Sequence, residues 1–126
     1  MRLSILRGEL AIARLGPADR VPEWAQSADF LSITRTADEL SIVCESSRVP
    51  EEIRAERGRR ALKIEGPLEF SLVGVIASIA GPLASAGISI FAMSTFDTDY
   101  VLVSAAELSA AIAVLKSAGH DVRVGE

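Results

Sequence analysis

Residues 87–103 read GISIFAMSTFDTDYVLV, two apolar, strand-forming runs around a tip of small polar and acidic side chains. The pattern predicts a β-hairpin. Upstream, Val73, Ile76, Ile79, Ala80, Leu83 and Ala86 recur at helical spacing and stop at Gly87, which serves as a left-handed cap; Gly81-Pro82 inside this run predicts a kink or a loosened turn. Before the helix, Ala61–Glu65 alternates apolar and polar residues as a strand does. Downstream, Ser104 and Glu107 have capping-box spacing ahead of the periodic Leu108, Ala111, Ile112 and Leu115, and His120–Val124 alternates as a closing strand. From residue 61 onward the order is therefore strand, helix, strand, strand, helix, strand, the split βαβ order of a ferredoxin-like fold.

The first half reads as a degenerate version of the same plan. Leu3 and Ile5, then Leu10 and Ile12, alternate on either side of Gly8 and predict an opening hairpin. Pro22-Glu23-Trp24-Ala25 reads as a short helical turn started by proline, and Trp24, the single tryptophan, as packing. Phe30–Arg35 and Leu40–Cys44, joined by the polar Thr36-Ala37-Asp38-Glu39, form a second hairpin. The segment Ser46–Arg60 mixes arginine and glutamate with Pro50 and Gly58, and is read as a solvated helical turn and linker. The expected fold class is α+β, two tandem ferredoxin-like units with antiparallel sheets and helices on one face. The first unit covers 1–60 and the second 61–126.

Composition narrows the function. With 126 residues, 49% hydrophobic and 24% charged, the chain can bury a core, and a net charge of -4 argues against a general nucleic-acid or anionic-membrane surface. The start, MRLSILRGELAIARL, is broken by Arg7, Gly8 and Glu9, so a secretory segment and a membrane span are not expected. A single cysteine, Cys44, allows no internal disulfide and fits a reducing, cytoplasmic compartment. Cys44 and the lone His120 form no nucleophile–base pair, Asp97 and Asp99 make a poor cation site, and no phosphate loop occurs, so neither an enzyme, a metal nor a cofactor is expected.

A ferredoxin-like unit with glycine at its first strand-to-helix turn resembles the amino-acid-binding ACT domain. The string Val73–Val103, with Gly74-Val75-Ile76-Ala77, Gly81-Pro82-Leu83-Ala84, Gly87-Ile88-Ser89-Ile90 and Ser94–Tyr100, resembles the tandem-ACT proteins related to the cytosolic arginine sensor CASTOR. The first half, through Phe30–Thr34 and the turn and strand that follow, is similar to that family's N-terminal unit. The resemblance implies an effector site where two ACT units meet, holding a free amino acid. Matched position by position, it assigns ligand contact to Gly74, Val75, Ser89, Ile90, Thr95, Phe96 and Asp99.

These residue types suit a zwitterion. Gly74 permits close backbone approach, the N–H groups of Val75 and Ile76 at a helix start favour a carboxylate, and Asp99 can neutralise an ammonium. As plain structure, the glycine makes a turn, Ser89 caps a strand and Asp99 closes its own hairpin. The family's arginine half-site has an acidic residue two positions before the helix glycine; here Leu72 stands there and favours an aliphatic or aromatic ligand over arginine. The expectation is a regulatory, allosteric, non-catalytic sensor, homodimeric through its C-terminal units. The alternative is a protein-interaction module, or a separate regulatory subunit of an amino-acid pathway enzyme such as an aspartate kinase, with no ligand of its own.

Overall fold

Strand β5, Ala55–Ile64, organises the chain, since it supplies a sheet strand to each of two compact units. A computed structural model describes residues 1–66 and 73–125. One unit comprises Gly8–Arg59; the other comprises Met1–Arg7 with Arg60–Glu126.

In the unit Gly8–Arg59, β2 (Leu10–Leu15), a four-residue helix α1 (Glu23–Gln26), β3 (Ser32–Arg35), β4 (Leu40–Glu45), a 3-10 turn (Ser46–Arg48) and the start of β5 succeed one another. Their order in the sheet is β3-β4-β2-β5. This is the ferredoxin-like order with its two helices reduced to single turns, which is the sense in which the unit is degenerate. Ala11, Ala13, Leu40, Ile42 and Cys44 form its buried face with Ala25 of α1, and Trp24 packs against that cluster.

One acid holds the end of β4 to the loop before β3. The Glu45 carboxylate accepts the Asp29 N–H at 2.8 Å and the Phe30 N–H at 3.4 Å, and Arg48 Nε lies 3.6 Å away. Burial opposes its charge most strongly, yet the backbone N–H groups and Arg48 together leave the carboxyl below the usual glutamate range. A depressed folded value means that the contribution to stability is complete above the unfolded pKa and is lost as pH falls through the folded one. Urea unfolding from pH 6 downward is expected to show this loss below the ordinary glutamate range. Glu45→Gln should flatten that part of the profile, and a profile unchanged by the substitution contradicts the assignment.

In the other unit the end of β5 is followed by α2 (Val75–Ser85), β6 (Phe91–Ser94), β7 (Asp99–Ser104), a 3-10 turn (Ala105–Glu107), α3 (Leu108–Ser117) and β8 (Asp121–Val124). Strand β1 (Arg2–Ile5) joins them, and the order is β6-β7-β5-β1-β8. β1 is antiparallel to β5 and parallel to β8, so it is inserted between the first and last strands of the βαββαβ frame. Leu3, Ile5, Leu62, Ile64, Val101 and Val103 turn one face toward Ile79 and Leu83 of α2 and Ala111 and Leu115 of α3, closing the core.

Two expectations for the first half are corrected. β1 and β2 do not pair as a hairpin: β2 pairs with β4 and the start of β5, and β1 completes the sheet of the other unit. The stretch read as a linker becomes strand from Ala55 onward, because its arginines serve the backbone. Arg57 donates to the carbonyls of Val49, Pro50 and Ile53, and Arg60 to that of Leu6.

The helices end as their glycines require. Gly87, at φ +75, donates to Ala84 O at 3.0 Å and Ile88 to Leu83 O at 2.9 Å, a Schellman cap with Ile88 and Leu83 both buried. α2 runs without interruption across Gly81-Pro82. The capping box before α3 takes another form: Ser104 Oγ donates to Glu107 Oε1 at 3.3 Å, and the intervening residues make a 3-10 turn.

Candidate functional site

The β6–β7 hairpin pairs Ser94 with Asp99 across a four-residue tip. Thr95 N–H donates to Thr98 O at 2.8 Å, and the buried Thr98 hydroxyl reaches back to Ile64 O at 2.5 Å. That last bond fastens the tip to the C-terminal end of β5. The same end of β5 lies beside the start of β1, where Leu3 pairs with Ile64 and Glu65 N–H donates to Arg2 O. Asp121 N–H donates to Met1 O, and the preceding His120 contacts Ser78 in the first turn of α2. The hairpin tip, the start of α2 and the start of β8 therefore converge at one end of this unit.

Gly74, Val75, Thr95, Phe96 and Asp99 all belong to that end. Gly74 stands at φ +76 in the left-handed region, where a side chain is strained, and as the N-cap residue of α2 it has no side chain to cap the first turn. The N–H groups of Val75 and Ile76 begin α2 there, with the positive end of its dipole. Val73 is 90% exposed and Phe96 84%, placing apolar surface beside the helix start and at the tip. The Asp99 carboxylate accepts the Ser94 hydroxyl at 2.5 Å.

Ser89 and Ile90 are not brought to this end. They follow the C-terminal cap of α2, about 15 Å along the helix from Val75 at 1.5 Å per residue, and β6 leads from them back to the tip. Ser89 is exposed and Ile90 packs against the core. Leu72, which bears on ligand choice, lies outside the described residues. Sequence reasoning missed Ser94, Thr98 and His120. The first two were legible in principle, because a four-residue tip sets Ser94 opposite Asp99 and leaves Thr98 at the turn's close.

Burial pushes the Cys44 thiol above its usual range, with Glu45 adding to the rise and Arg48 opposing it. Among the described residues no three His, Cys, Asp or Glu side chains gather to hold a metal, and no helix is long and apolar enough to cross a membrane.

A family model described as "ACT domain" matches residues 54–117, just over half of the chain and nearly all of the βαββα run that carries this end. The chain belongs to the ACT-domain family. A second model, of an N-terminal domain, matches residues 8–52, within the unit Gly8–Arg59. Over 58 residues this ACT protein is 43% identical to the cytosolic arginine sensor for mTORC1 subunit 1 of Rattus norvegicus and 45% identical to that of Homo sapiens. The matched stretch is 45% of this chain but only 18% of those relatives' length. A crystal structure of an Agrobacterium tumefaciens protein is 42% identical, with a TM-score of 0.92 over 99% of this chain and 93% of that one. The regulatory subunit of aspartate kinase from Thermus flavus, at 14% identity, shares the fold with a TM-score of 0.64, covering 93% of this chain and 96% of its own.

Proposed function

We propose that this ACT protein is a non-catalytic regulatory sensor that binds a free amino acid. The observation that carries the reading is the convergence of a helix start opened by glycine with the acidic hairpin tip. The N–H groups of Val75 and Ile76 receive the ligand carboxylate, and Asp99, at the base of the hairpin tip, receives the ammonium. Thr95 and Phe96 supply backbone and side-chain contact from the hairpin. Ser89 and Ile90, at the far end of the unit, enter such a site from a second copy of the chain, which makes the functional form a homodimer. Ligand then acts on that pairing by binding one state better than the other.

The proposed ligand is aliphatic or aromatic. The exposed Val73 and Phe96 offer apolar contact, and an arginine side chain set against them gives up hydrogen bonds to water without replacement. Isothermal titration against the twenty amino acids is expected to give heat with one or a few apolar members and none with arginine. A thermal-shift screen reads the same event, since ligand at 100 times its dissociation constant adds about 2.7 kcal/mol of stability. Silence across all twenty sinks the reading; heat with arginine alone keeps the sensor and overturns the ligand class.

A further inference from the structure

Proline inside α2 leaves one carbonyl without its helical partner. The Ser78 carbonyl takes the N–H of residue 82 in a regular helix, and Pro82 has no N–H to give. His120 Nε2 lies 3.0 Å from Ser78 O. A carbonyl only accepts, so Nε2 carries the ring hydrogen and Nδ1 presents its lone pair, which faces the Met1 ammonium at 2.9 Å. The imidazole is held in place by its own backbone: His120 N–H donates to Leu115 O at 3.0 Å in the cap that ends α3, and β8 begins at the next residue.

We propose that His120 is a positioning residue for the first turn of α2, where its imidazole replaces the hydrogen bond that Pro82 removes. The turn it holds begins at Gly74 and Val75, and the element it is anchored to lies at the end of the unit that bears the hairpin tip. Two features that look unrelated in sequence, a helix-interior proline and a lone histidine 38 positions later, thereby form one device. The link to ligand rests on the proposed function; the bond between the imidazole and the helix does not.

A double-mutant cycle on the full chain tests the device. His120→Ala is expected to lower the folding equilibrium constant about fivefold in urea unfolding, the worth of an ordinary hydrogen bond. In a Pro82→Ala background the restored N–H takes the Ser78 carbonyl, and the same histidine change is expected to lower it by less than about twofold. Equal losses in the two backgrounds overturn the proposal. Nitrogen NMR of the wild-type chain reads the bond without any substitution. The neutral His120 ring is expected in the Nε2–H form, and the Nδ1–H form contradicts the proposal. If an amino-acid ligand is found, His120→Ala should weaken it more than it does beside Pro82→Ala. If none is found, the sensor reading fails while the stability cycle still decides the role of His120.

Discussion

Leu83→Ala is expected to destabilise the chain by about 3 kcal/mol, within the span of core leucine truncations. Leu83 has no exposed surface, lies among the apolar side chains of the sheet and both helices, and its carbonyl accepts the Ile88 N–H that closes α2. The alanine leaves a cavity at a position where helix packing and helix termination meet. Urea unfolding with an unchanged denaturant slope is the measurement, and Ser85→Ala on the exposed side of the same turn is the control, expected within about 0.5 kcal/mol of wild type. A loss below about 1 kcal/mol contradicts the packing described for Leu83.

The helices and the hairpin of the second half were legible because their apolar residues recur at the periods of the structures they form. Ile79, Leu83, Ala111 and Leu115 fall on single helical stripes, and all four are buried. The pairing of β1 was not legible. Alternation at Leu3 and Ile5 specifies a half-buried strand but carries no partner, and its partners lie some sixty and a hundred and twenty residues away. The start of β5 was hidden by its charges. Glu56, Arg57, Arg59 and Arg60 look like a solvated run, yet arginine can sit on a strand while its guanidinium answers carbonyls elsewhere in the chain, as Arg57 and Arg60 do.

At the candidate site, the residues that the resemblance assigns lie at two ends of the unit. Ser89 and Ile90 stand only a few residues before Thr95, but a strand climbs about 3.3 Å per residue, so β6 carries the chain from one end of the unit to the other between them. Gly74 and Asp99, twenty-five residues apart, share an end instead. The resemblance named both sets as ligand contacts, and the proposed homodimer is the arrangement that would let one site use both. The tie between His120 and α2 was not legible for a related reason: nothing in a sequence links a histidine after one helix to a carbonyl in another until the fold sets Ser78 beside it.

Asp99→Ala is expected to weaken amino-acid binding about 100-fold, the upper range for a hydrogen bond to a charged group. The Asp99 carboxylate accepts the Ser94 hydroxyl at 2.5 Å, so the substitution also removes a bond that closes the hairpin. Ser94→Ala separates the two roles, since it deletes the hairpin bond and leaves the carboxylate in place. If Asp99 holds an ammonium, Ser94→Ala should cost stability as Asp99→Ala does while leaving binding within about threefold of wild type, the ligand bond being charge-assisted and stronger. If Asp99 only closes the turn, the two variants should weaken binding equally and lose the same thermal stability with and without ligand. Thr98 bounds the comparison from the other side. Its hydroxyl anchors the tip to Ile64 O without facing a ligand, so Thr98→Val is expected to lower stability by about 1 kcal/mol and to reduce affinity only through looser placement of Asp99. Affinity that falls for Asp99→Ala and persists for Ser94→Ala assigns the acid to the ligand.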